Sequence, residues 1–213
     1  MGDRLDRLLE RSIASLRRFH SDLAVHVAEL PQNSDIMAKS LVFDSSPFDE
    51  TLYLDCDTVV LSPIGFGFEA AQKHALACCI SECPWARRYA ALKDAGDVIE
   101  YNTGVLFFTR AARTVFDLWK ESARKIDSSA RFYIGDRIDV GYNDQGPFAY
   151  AIRQLQFIPF VLPQNFNLRP MWQRGFWGPV KIWHSYDDVP ASVVQFCDEQ
   201  SRPDAVIRFA TLG

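Results

Sequence analysis

The chain has 213 residues, 48% hydrophobic and 23% charged, with a formal net charge of -4. That composition suits a single globular domain, residues 1–213, with a sizeable core, and the acidic balance argues against a nucleic-acid groove. No apolar run reaches the roughly 18–20 residues that span a bilayer, and the mixed charges of the first residues leave no apolar segment for a signal peptide.

Leu5, Leu8, Leu9, Ile13, Leu16 and Phe19 recur at three- and four-residue steps, which predicts an amphipathic helix. Arg4, Arg7, Arg11 and Arg18 fall on its other side and read as a solvated face. Leu23 to Leu30 reads as a strand closed by Pro31 and Asn33. Thr51 to Leu61 reads as one buried strand, with further buried strands at Ala75 to Ser81 and Thr103 to Thr109. A helix follows from Ala111 to Ile126, with Val115, Phe116, Trp119 and Ala123 on one face. Asp144 is placed as the N-cap of the next helix, which carries Pro147 early and runs to about Leu155. Val180 to His184 is a last short strand. Strands alternating with helices predict an α/β fold whose central sheet is mostly parallel and flanked by helices.

The five cysteines, Cys56, Cys78, Cys79, Cys83 and Cys197, form no C-x-x-C pair. They read as reduced thiols in a cytoplasmic protein, with Cys78 and Cys79 buried in an apolar run.

Asp55 and Asp57 interrupt an apolar strand. Alternate strand residues share a face, with Cα atoms about 6–7 Å apart, so both carboxylates can reach one ion. Two like charges this close are costly unless a cation or protons neutralise them. Oxygen ligands favour a hard ion, Mn²⁺ or Mg²⁺, which in turn bridges to a diphosphate.

The stretch from Lys39 through Ser46 to Thr58 resembles the sequence around the metal-binding D-x-D of glycosyltransferase family eight, whose members have the nucleotide-diphosphosugar transferase (GT-A) fold. Asn102-Thr103-Gly104-Val105, Asp144-Gln145, Asn165-Phe166-Asn167 after Leu162-Pro163, and Ile182-Trp183-His184 resemble later motifs in the same order. The resemblance implies a retaining, metal-dependent transferase that moves a sugar from a nucleotide-diphosphosugar, a UDP-sugar by family habit, to an acceptor. It implies a metal held by Asp55, Asp57 and His184. Donor contacts would come from Lys39, Asp55, Asn102, Thr103 and Gly104, and sugar orientation from Asp144 and Gln145. From the residues alone, Asn102 also reads as a turn cap, Asp144 as a plain N-cap and His184 as a structural histidine. Trp172, Phe176 and Trp177 read equally as a sugar platform, a lid contact or core.

Two features depart from the family. Its closing H-x-x-G-x-x-K-P-W is replaced by His184-Ser185-Tyr186-Asp187-Asp188-Val189-Pro190, so diphosphate charge falls to the metal, Lys39, or Arg169 or Arg174. The family's first strand has no counterpart before the helix at residues 4 to 19, which would leave the strand from Leu23 to Leu30 open and favour a homodimer that covers it. A non-catalytic or truncated relative is therefore one alternative. The other is a haloacid dehalogenase-type phosphohydrolase with Asp55 as nucleophile and Asp57 as acid/base. That reading needs a second acidic motif, and Gly135-Asp136 is followed at the required offsets by Val140 and Gly141.

Overall fold

A computed structural model describes residues 2–31, 33–82 and 99–212; Cys83 lies outside the described residues. Helix α1 spans Gly2–Phe19. It is followed by a 3₁₀ turn at Ile36–Leu41 and a single helical turn, α2, at Val42–Ser45. Then come β1 Glu50–Leu54, β2 Thr58–Val60, α3 Gly65–His74, β3 Leu76–Ile80 and β4 Tyr101–Thr109. Helix α4, Arg113–Ser122, and the hairpin β5 Ala130–Ile134 and β6 Asp136–Val140 precede α5, Gln145–Gln154. The chain then forms β7 Phe160–Val161, a 3₁₀ turn at Gln164–Asn167, β8 Gly175–Trp177, β9 Ile182–His184, α6 Ala191–Gln200 and β10 Phe209–Thr211.

The central sheet has the order β1-β4-β3-β7. Strands β1, β3 and β7 run one way and β4 lies reversed between β1 and β3, so two of the three pairings are antiparallel. The sheet is mixed rather than mostly parallel. Helix–strand alternation predicts the layering but not the direction, because β4 pairs antiparallel with its sequence neighbour β3 and inserts between it and β1.

The pleat sends successive residues of β3 and β4 to opposite layers. Leu76, Cys78, Leu106 and Phe108 join Phe116, Trp119 and Phe148 from α4 and α5 on one face. Ala77, Cys79, Val105 and Phe107 meet Leu16 of α1 and Ala70 and Ala71 of α3 on the other. Both faces are covered, which is why these strands read as continuous apolar runs. Gly67 is required at one of these contacts, since a Cβ there would lie 2.4 Å from the Phe107 ring. Cys78 and Cys79 are buried as expected, and burial pushes both thiols up.

Three sequence expectations change. Residues 24–30 form no ladder: Val25, Val27 and Leu30 are exposed, and no backbone group of this stretch pairs with another among the described residues. β-Propensity alone cannot hold a strand without a partner edge. The expected strand from Thr51 to Leu61 breaks after Leu54, and β2 leaves the central sheet to pair with β9. The arginine stripe on α1 is exposed at Arg4, Arg7 and Arg18, as a solvated face should be, and changes at Arg11, which turns into a seam. Arg11 donates to Ser185 O (2.9 Å), Asp187 O (3.1 Å) and Asp188 (3.0 Å), Arg18 pairs with Asp198 (2.8 Å), and Arg4 lies over the Tyr186 ring. No helix among the described residues is long and apolar enough to cross a membrane.

Candidate metal and donor site

The break after Leu54 builds the site. Asp55 N makes a last rung to Gly104 O of β4 (2.9 Å). The chain then turns, with Thr58 N (3.1 Å) and Thr58 Oγ1 (2.7 Å) both donating to Asp55 O. The turn, not strand alternation, brings the two carboxylates to one side. Register does the rest: Thr58 pairs with His184 across β2 and β9, and Ser185 N donates to Asp57 O (3.0 Å). His184 Nε2 thereby comes within 3.3 Å of Asp57 Oδ1 and 3.7 Å of Asp55 Oδ2. One ligand atom from each of the three residues lies within 4.8 Å of the others.

Gly104 leaves the space for this convergence. A Cβ at that position would sit 2.3 Å from His184 Cε1 and 2.7 Å from Asp55 Oδ2. Two carboxylate oxygens and one imidazole nitrogen, partly shielded from water, are a donor set that fits Mn²⁺ well and Mg²⁺ acceptably.

Lys39 enters from the 3₁₀ turn. Its Nζ lies 2.8 Å from Asp55 Oδ2 and 3.3 Å from Asp144 Oδ2, so one ammonium serves two carboxylates. Burial alone would pull the Lys39 pKa down, but Asp144 and Asp55 outweigh it and hold it well above the usual lysine value. Burial likewise pushes the Asp55 carboxyl up, yet the charges of Lys39 and His184, with hydrogen bonds from Lys39 and Tyr53, bring it below the ordinary range. Tyr53 donates to Asp55 Oδ1 at 2.7 Å, and burial, then the Asp55 charge, drive its phenol pKa well up. The Asp57 carboxylate pairs only with His184 among the described residues. Among the described residues Lys39 is therefore the one fixed cation bonded to these carboxylates, reaching Asp55 and Asp144 but not Asp57.

Asp144 stands at the N-cap position of α5, but its side chain makes no capping bond. It accepts instead from Thr103 Oγ1 and Lys39, while Asn143 Oδ1 accepts from Gly146 N (3.1 Å) and does the capping. Trp119 Nε1 donates to Asp144 O (3.0 Å) and anchors the turn to α4. Asn102 donates through Nδ2 to Gln145 Oε1 (2.9 Å) and accepts from Gly104 N (2.9 Å), so it is both a turn cap and a site residue. Asn167 donates to Asn102 Oδ1 (2.6 Å), and its own Oδ1 lies 2.8 Å from His184 Nδ1.

All the residues singled out in the sequence, Lys39, Asp55, Asp57, Asn102, Thr103, Gly104, Asp144, Gln145 and His184, line one cleft of about 1110 Å³. Arg169 lines it too, paired with Glu82 at 3.3 Å and lying near the Trp172 ring, whereas Arg174 does not. The aromatic trio divides: Trp172 lines the cleft, Phe176 is core, and Trp177 is exposed against Phe209. Gly135-Asp136 lies at the β5–β6 turn, outside the cleft lining. Tyr53 and Asn167 were given no role from the sequence. Tyr53 had a usable signal, two residues before Asp55 and so on the same side of the strand.

No family model matches this sequence, and no curated protein matches it. Among solved structures, the chain is similar to mouse xyloside xylosyltransferase 1 in its apo form. The TM-score is 0.47 at 12% identity, over 85% of this chain and 72% of that one. At that distance the functional reading rests on the site itself.

Proposed function

We propose that this protein is a metal-dependent glycosyltransferase that uses a nucleotide-diphosphosugar, a UDP-sugar by its sequence resemblance, and transfers with retention. The observation that carries this is the charge balance: three shielded carboxylates and His184 converge, and among the described residues Lys39 is the fixed cation bonded to them. Buried like charges without compensation are expensive, and a divalent cation relieves them. Asp55, Asp57 and His184 would hold that ion, which when bound offsets charge developing on the leaving diphosphate.

The chain's own residues divide the remaining work. Lys39 would add a second positive charge beside the diphosphate. Asp144 Oδ1 and the Gln145 side-chain amide nitrogen have no partner among the described residues, so each can take a sugar hydroxyl. Asn102 and Thr103 hold those two side chains in position. In the transfer the bond from the anomeric carbon to the phosphate oxygen breaks and a bond to the acceptor oxygen forms. The departing phosphate takes the acceptor's proton, so no strong protein base is required. Release of UDP from a panel of UDP-sugars with Mn²⁺, alongside Asp57→Asn, tests the reading. Activity in the wild type that is lost in the folded variant is expected. Equal release by both proteins, or none with any donor and acceptor supplied, would count against it.

A further inference from the structure

The hydrogen bonds behind His184 can be read in only one direction. Gly104 N is a backbone amide and can only donate, so the Asn102 atom 2.9 Å from it is the carbonyl oxygen, Oδ1. That orientation leaves Asn102 Nδ2 facing Gln145 Oε1. The Asn167 atom 2.6 Å from Asn102 Oδ1 must then be a donor, because a second oxygen there would set acceptor against acceptor. Asn167 is 1% exposed and Asn102 5%, so water cannot repair a reversed amide. The Asn167 carbonyl oxygen is consequently the atom 2.8 Å from His184 Nδ1, and it needs a hydrogen there.

We infer that Asn167 is a positioning residue, aligned by Asn102 and the Gly104 amide, that fixes His184 as the Nδ1–H tautomer and turns the bare Nε2 toward Asp55 and Asp57. The hydrogen on Nδ1 follows from these bonds alone, which in the neutral ring leaves Nε2 bare, and the purpose of that lone pair, to take a cation, rests on the proposed metal reading. A metal-ligating imidazole oriented through its other nitrogen is a general device, and loss of such a partner typically weakens metal binding by about 10–100-fold. Without Asn167 the neutral ring would instead place a proton on Nε2 and donate to Asp57 Oδ1, 3.3 Å away.

The test is a long-range ¹H–¹⁵N spectrum of the metal-free protein at a pH where the imidazoles are neutral, with His184 assigned by its loss in His184→Gln. The chain has four histidines. One supplies an internal reference: Ile64 N donates to His20 Nε2 (3.1 Å), which makes His20 an Nδ1–H tautomer. Wild-type His184 is expected to show the same pattern as His20, and Asn167→Leu to convert it to Nε2–H with Mn²⁺ affinity about 10–100-fold lower. Asn167→Ser, which removes the carbonyl while leaving a small polar group, should convert the ring in the same way and serves if the leucine variant does not fold. An Nε2–H pattern in the wild type, or an unchanged pattern in folded Asn167→Leu or Asn167→Ser, would overturn the inference. An Nδ1–H ring in a wild type that binds no Mn²⁺ would support the positioning role and count against the metal reading alone.

Discussion

Lys39 is the only fixed cation bonded within the acidic cluster among the described residues, so Lys39→Met is an informative perturbation. Methionine keeps most of the side-chain volume and removes the ammonium that bonds Asp55 at 2.8 Å and Asp144 at 3.3 Å. The Lys39 and Asp55 side chains are 15% and 19% exposed, and that of Asp144 is 5% exposed, so solvent screens little of the loss. Removing one partner of a buried pair costs about 3–5 kcal/mol. For a chain of this length each kcal/mol lowers Tm by roughly 2–4 °C, so the metal-free variant should melt roughly 6–20 °C below wild type. The same change removes a positive charge beside Asp55 and so favours a divalent ion there. Mn²⁺ should therefore raise Tm more in Lys39→Met than in wild type. Differential scanning fluorimetry with EDTA or saturating Mn²⁺ measures all four values. A variant as stable as wild type without metal, or one that gains less from Mn²⁺, would refute the reasoning.

Asp57→Asn should melt no lower than wild type without metal, because one of three like charges is gone, and should lose Mn²⁺-induced stabilisation; scanning calorimetry in EDTA and in Mn²⁺ checks both. Gly104→Ala should cost about 1–3 kcal/mol by overpacking against His184 and Asp55 and should weaken Mn²⁺ binding; urea denaturation and a Mn²⁺ titration read the two effects. The pH dependence follows from two opposite shifts. Asp55 has a lowered folded pKa, so its contribution is complete above the unfolded carboxyl value near ~3.9 and disappears as pH falls through the folded value. Lys39 has a raised one, so its contribution is complete below about 10.4 and disappears as pH rises through the folded value. Urea midpoints of the metal-free protein should show a plateau between these limits, with the alkaline decline reduced in Lys39→Met.

The central strands and helices were legible because both sheet faces are buried. Long apolar runs at β3 and β4 and the period of α4 leave little freedom, and the structure places them as read. Strand direction was not legible, since the reversal of β4 depends on which strand it lies beside. The segment after α1 misled for a related reason, as Val25 and Val27 have strand propensity but no partner edge. In the site, residue types announced the carboxylates and the histidine. The order of motifs announced that Asn102, Asp144 and Gln145 belong beside them. What stayed hidden was division of labour within a turn: Asn143 caps α5 and frees Asp144 for Lys39 and Thr103. The role of α1 also stayed hidden, because Arg11 binds carbonyls and a carboxylate more than 170 residues away.

The most direct test of the central claim is thermal unfolding with UDP, in Mn²⁺ and in EDTA. Shielded carboxylates cannot accept a diphosphate without a cation between them, so the two ligands should act together. At about a hundred times its dissociation constant UDP should stabilise by roughly 2.7 kcal/mol, or about 5–11 °C for a chain of this size. A shift of that order in Mn²⁺ that vanishes in EDTA is the predicted result. Equal shifts in both, or none in either, would contradict the account.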